Sequence, residues 1–169
     1  MEKIMNKNEL DPKVSSTLSS ANMAYEILDC SDELADTAAF CEHYKVSLDQ
    51  AANTLLVASR KIEPTRYAVC VVLATTRLDV NKKVSELLGA KKLSFADGET
   101  TQRLTGMMIG GVTAVGIKDL PIYVDTEVMQ RDKVVMGGGN RVTKILISPQ
   151  ELLKLKEVQV VQGLAKTRA

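Results

Sequence analysis

Two glycine clusters carry the best chance of chemistry in this 169-residue chain: Gly110-Gly111 within MMIGGVTAVG (107–116), and Gly137-Gly138-Gly139-Asn140 between two apolar runs. Glycine lets backbone N–H groups approach a ligand that a Cβ would exclude, and such amides suit an anion or a polarised carbonyl. Two such loops brought together would line a small pocket. GGGN taken alone also meets the needs of a plain hairpin turn. MMIGGVTAVG is harder to explain that way, because its glycines spoil it as a strand and no simple turn needs so many uncharged residues. Other chemistries lack their parts: no Ser stands in GxSxG, no GxxxxGK[ST] occurs, and neither CxxC nor HxxxH spacing is present. Triad hydrolysis, nucleotide hydrolysis and a metal site are therefore not expected, and no cofactor is implied. His43, the sole histidine, cannot pair with Cys41, since residues two apart on a helix face different ways. It reads as a surface or boundary residue, and a thiol nucleophile would need Cys30 or Cys70 to meet it through the fold.

The elements that must position these loops can be read from periodicity and caps. Residues 1–20 are polar and Ser-rich without an evident period, which predicts a flexible N-terminal lead-in, with a single domain over 21–169. YEILDC (25–30) alternates like a half-buried strand, and DELADTAAFCEHY (32–44) places Leu34, Ala38 and Cys41 at helical spacing. Ser47 and Gln50 form a capping box for a short helix that ends before the β-rich TLLVAS (54–59), with Asn53 at the start of that strand. YAVCVVLA (67–74) is apolar almost throughout, which predicts a strand covered on both faces at the centre of the sheet. Asp79 can cap VNKKVSELL, stopped by Gly89; KKLSF is a short strand; and Asp97 can cap ETTQRLT, stopped by Gly106. PIYVD (121–125), KVVM (133–136) and VTKILI (142–147) read as strands, the last two joined by GGGN. Ser148-Pro149-Gln150-Glu151 opens a helix, and VQVV closes the chain as a strand. This irregular order predicts an α/β fold of the α+β type, a mixed sheet flanked by helices, rather than a parallel βαβ repeat.

Composition bounds the partners. A net charge of +1 excludes a wholesale polycationic grip on nucleic acid, and with no Trp and only two Phe a base-stacking platform is poorly supplied. No apolar run approaches the ~20 residues of a membrane helix, and the N-terminus has no apolar core of a secretory signal. Three cysteines among apolar neighbours read as reduced core thiols of a cytoplasmic protein.

Three stretches, ELADTAAFCEHYKVSLDQAANTLLVAS, KKLSFADGETTQRLTGMMIGGVTAVGIKDLPIYVD and GGGNRVTKILISPQELL, together resemble the YbaK/prolyl-tRNA-synthetase-associated domain family over roughly residues 23–165. The resemblance implies a strongly curved mixed sheet or partial barrel, and a deacylase that clears amino acids wrongly esterified to tRNA. It implies that the glycine loop, usually GGVTPxG, borders the aminoacyl pocket. Here that loop is Gly110-Gly111-Val112-Thr113-Ala114-Val115-Gly116, with Ala114 in place of the proline. Gly110 and Gly111 would bring amides to the ester; Val112, Thr113, Ala114, Gly116, Gly137, Gly138, Gly139 and Asn140 would contact the substrate. Asn53 stands where these deacylases commonly carry a lysine; it can hydrogen-bond an ester or ribose hydroxyl but brings no charge to a phosphate. Arg60 or Lys61, at the end of the same strand, could supply that charge to tRNA, or could be solvated strand-end residues. The expected partner is the acceptor end of a mischarged tRNA, with a synthetase as a second candidate. A module that keeps the pocket but only binds an aminoacyl-tRNA end or a free amino acid is the alternative, and a thiol hydrolase is a third.

Overall fold

The computed structural model describes residues 9–30 and 37–167. Its first element corrects the expected lead-in: α1 spans Pro12–Ser20, capped by the Asp11 carboxylate accepting from Lys13 N at 2.8 Å, with Pro12 at the first helical position. Leu10, Val14 and Leu18 recur every fourth residue, and all three are buried in the main core. That stripe was hidden by the serines around it. β1 (Glu26–Asp29) and α2 (Thr37–Tyr44) follow, the start of the expected helix and Leu34 lying outside the described residues. The Ser47/Gln50 capping box opens a single 3-10 turn, Leu48–Gln50.

β2 (Ala52–Ser59) and β3 (Tyr67–Leu73) pair antiparallel. β4 (Thr76–Leu78) comes next, then a π-helical turn (Val80–Val84) capped by Asp79, running into α3 (Ser85–Leu88) and ended by Gly89 at φ +64°. β5 (Leu93–Phe95) leads to α4 (Gly98–Thr105), which Asp97 caps and Gly106 ends at φ +74°. β6 (Ile122–Asp125), α5 (Thr126–Met129), β7 (Val134–Gly137) and β8 (Thr143–Ile147) follow. Ser148 caps a 3-10 helix, Pro149–Lys154, and β9 (Val158–Val161) is succeeded by β10 (Ala165–Thr167). β9 is thus not the last strand: β10 pairs with β4, two three-residue strands too short to signal themselves by pattern.

The main sheet has the order β5-β2-β3-β6-β9, antiparallel from β5 to β3 and parallel from β3 to β9. A second, antiparallel sheet has the order β1-β8-β7. One parallel bridge, Ala51 to Val135, joins the start of β2 to β7. The main core fills the space between these sheets, with Val69, Val71, Ile122, Val134, Ile145 and Ile147 buried there beside α1. The other face of the main sheet buries Val57, Ala68, Cys70 and Val72 under α3 and Leu164. β3 is therefore the sheet centre, buried on both faces, which accounts for its unbroken apolar sequence.

Candidate active site

Hydrogen-bond parity along β2 explains why a site exists at its start. Ala51 O accepts from Ala74 N and Ser59 N donates to Arg66 O, so odd-numbered residues turn their backbone groups toward β3. Even-numbered ones face the opposite edge. There Leu56 O accepts from Ala96 N, and β5 covers Val57–Ser59, but β5 stops short of Thr54. The Thr54 N–H consequently points from an open edge with no strand partner. Its buried hydroxyl is also without a hydrogen-bond partner among the described residues. Asn53 beside it is exposed.

This open edge is one wall of a cavity of about 240 Å³. Ala51 to Leu55 form that wall; Ile109, Gly110 and Val112 of the glycine loop form another; Val135, Met136 and Gly137 of β7, with Phe40 and Lys144, close the rest. The surface is mainly apolar, with Asn53, Thr54 and Lys144 as its polar side chains.

The two glycine loops do meet, backbone to backbone: Gly139 N donates to Gly111 O at 2.7 Å. Their glycines serve that close approach first. A Cβ at Gly111 would collide with the Asn140 carbonyl, and one at Gly137 would lie 2.7 Å from the Gly111 and Val112 carbonyl oxygens. The expectation that Gly111 offers its amide to a substrate is corrected, because that N–H already donates to Met108 O at 2.9 Å. Gly110 and Val112 N–H groups make no backbone hydrogen bond among the described residues.

Only part of the expected set reaches the cavity. Asn53, Gly110, Val112 and Gly137 line it. Thr113 and Ala114 are fully buried, Ala114 in the main core, and Gly116 lies against α1, with φ +105° and the Lys13 carbonyl beside it. Half of the loop is uncharged because it is core, not because it contacts a ligand. Gly138 is tied to α1, its carbonyl accepting from Asp11 N, and a Cβ at Gly139 would meet the Asp11 side chain. Asn140 braces the same loop: Oδ1 accepts from Val142 N, Thr143 N and Thr143 Oγ1, while Nδ2 donates to Glu9 O. Arg60 and Lys61 sit past the far end of β2, roughly 20 Å from Asn53 at a strand's rise per residue, so they bring no charge to this cavity.

Sequence reasoning missed Lys144 and Thr54. Lys144 had a visible signal: in TKILI it takes the half-exposed phase between buried Thr143 and Ile145. Thr54 had none, because an open edge is defined by where another strand ends. The cysteines are excluded as nucleophiles by their surroundings. Cys70 is fully buried on the face of the sheet away from the main core, and burial pushes its thiol up to about 12. Cys30 and Cys41 are also buried, which raises both thiols against the opposing charge of Lys144. His43 is exposed, its ring edge-on to Tyr44 at 4.7 Å. Among the described residues no group of His, Cys, Asp and Glu could hold a metal ion, and no helix is long and apolar enough to cross a membrane.

The chain is 27% identical over 111 residues to an Enterococcus faecalis protein named "Putative Cys-tRNA(Pro)/Cys-tRNA(Cys) deacylase EbsC", a match covering 65% of each. Over 64 residues it is 39% identical to a proline–tRNA ligase of Desulforamulus reducens, covering 37% of this chain and 11% of that enzyme. The chain thus spans less than two thirds of the length of both relatives. The fold matches a crystal structure described as a putative trans-editing enzyme for prolyl tRNA synthetase, with TM-score 0.78 and 24% identity over 95% of this chain and all of that one. A family model, the aminoacyl-tRNA editing domain, matches residues 31–155, which takes in β2, the glycine loop, β7, β8 and therefore every wall of the cavity, and the chain belongs to that family.

Proposed function

We propose that this chain is a deacylase that hydrolyses the ester of a mischarged tRNA carrying a small amino acid. The observation that supports it most is the open edge of β2, where Thr54, whose N–H has no strand partner among the described residues, lines a small, mostly apolar cavity. An aminoacyl ester is already activated. Its hydrolysis needs an oriented water and donors for the oxyanion that develops, each such donor being worth ~3 kcal/mol, and no protein nucleophile. Water oxygen bonds to the ester carbonyl carbon, the carbon–oxygen bond to the ribose breaks, and the ribose oxygen leaves with a proton. Thr54, Gly110 and Val112 N–H groups serve as donors to the oxyanion, and Asn53, which lines the same cavity, holds the ester or a ribose hydroxyl. The apolar walls select a short side chain. Only the acceptor end of the tRNA is gripped, consistent with a net charge of +1.

The test is ester loss, above the spontaneous rate, from a panel of mischarged tRNAs, beginning with cysteine on tRNA(Pro) because the Enterococcus faecalis relative carries that substrate in its name. No acceleration for any member of the panel would sink the reading. Asn53, in place of the family's usual lysine, favours a second reading, a module that binds an aminoacyl-tRNA end without turnover; tight binding with no hydrolysis would establish it.

A further inference from the structure

Lys144 is the one charged residue among the described residues lining the cavity. It stands on β8 directly opposite Gly137 of β7. Paired residues on neighbouring strands share a face of the sheet, so the position beside Lys144 carries no side chain. The Gly111 and Val112 carbonyls close over Gly137 instead. β2 approaches from the other side: Ala51 bridges Val135 in parallel, and two residues further along each strand are Asn53 and Gly137. Asn53 and Lys144 thus reach one cavity from opposite sides of a glycine.

Among the described residues the ammonium is held without being neutralised. Lys144 Nζ lies 5.5 Å from the Phe40 ring centroid, a cation–π contact that fixes position while leaving the charge available. Among the described residues no carboxylate lies within ion-pair distance of it. A cation on a largely apolar wall calls for an anion. The 3′ end of an aminoacyl-tRNA presents two opposite charges, the phosphodiester before the terminal ribose and the α-ammonium of the amino acid. Lys144 attracts the first and repels the second, which sets the direction in which the end enters.

We propose that Lys144 binds the phosphate preceding the ester-bearing ribose, so that in this chain the site's cation is carried by β8 rather than by the β2 position that Asn53 occupies. The identity of the ligand rests on the deacylase reading, but the step proposed is binding, not turnover. The experiment uses the full chain and an acceptor-stem RNA hairpin whose 3′ end carries alanine through a non-hydrolysable amide. Its Kd is measured against salt for wild type, Lys144→Met, Lys144→Gln and Lys144→Arg, with thermal melts beside them. Both neutral variants should weaken binding ten- to hundredfold at low salt and flatten the slope of log Kd on log salt by about 0.7–0.9, one phosphate's worth. Lys144→Arg should stay within about threefold of wild type. Wild-type affinity and slope in the neutral variants, equal weakening in Lys144→Arg, or no binding of the hairpin by wild type each overturn the proposal. Because no bond is broken, a wild type that binds the hairpin with this pattern yet hydrolyses no mischarged tRNA sinks the deacylase reading alone.

Discussion

The two ends of β2 are built from similar residues and do different things. At the far end, Val57 and Ala58 pair with β3 on one edge, Val57 to Ser59 pair with β5 on the other, and Ser59 exchanges hydrogen bonds with Arg66, its Oγ accepting from Arg66 N at 2.8 Å. Its backbone groups are spent on neighbouring strands. At the near end, past the Ala51–Val135 bridge, Asn53 to Leu55 have β3 on one edge and a cavity on the other; among the described residues the Thr54 amide has no strand partner there and its buried hydroxyl no hydrogen-bond partner. An orphaned buried hydroxyl costs roughly 1–3 kcal/mol if nothing fills its place, so such groups mark sites where a ligand or water completes the structure. Within one strand, binding capacity follows from where sheet pairing stops.

The largest expected effect comes from the loop that closes the near end. Gly111→Ala drives a Cβ into the Asn140 carbonyl, so stability should fall by about 3 kcal/mol and hydrolysis should be lost with it. A variant with a wild-type melting temperature would show that the two loops are not locked together. The next effect contrasts the two ends directly. Asn53→Ala should lower kcat/KM by one to two decades, or ~1.4–2.7 kcal/mol, with stability changed by less than about 0.5 kcal/mol. Val57→Ala should do the reverse, costing about 2 kcal/mol of stability with kcat unchanged in the folded protein. If both variants lose activity in proportion to stability, the distinction between the ends fails.

Thr54→Val should give a smaller change, about tenfold in kcat, while stability holds or rises by up to ~1 kcal/mol as an unpartnered hydroxyl is removed. Unchanged kcat would take the hydroxyl out of the reaction and leave only the Thr54 amide. Cys70→Ala should have the least effect on turnover, within about twofold, because its thiol faces the other side of the sheet. Its signature is in stability. With a folded value near 12 against 9.0 unfolded, the thiol's contribution is present below pH 9 and is lost as the pH rises toward 12. Urea midpoints for wild type and Cys70→Ala should therefore converge above pH 9; parallel curves would contradict the burial of this thiol.

Much of the fold was legible because its signals act over a few residues. Asp79 with Gly89, Asp97 with Gly106, and Ser148 with Pro149 bracket their helices as expected, since a cap is a hydrogen bond or a left-handed turn within one helical turn of the end. β3 was legible because burial on both faces leaves no polar phase. α1 was missed although Leu10, Val14 and Leu18 lie at helical spacing, because three apolar residues among serines give a weak stripe until a core receives them.

By itself, then, the sequence determined the helices' ends, the central strand, the mixed order of elements and the pairing of glycine loops as the place to look. It also determined the family, whose motifs are local. The tertiary structure alone decided that Thr113, Ala114 and Gly116 are packing, that Arg60 and Lys61 are remote, and that Thr54 and Lys144 face the cavity. The physical reason is that a pocket is a property of edges and faces brought together over long separations. The bridge from Ala51 to Val135 and the pairing of Gly137 with Lys144 are contacts of the folded chain, and no period or motif along β2 or β8 records them.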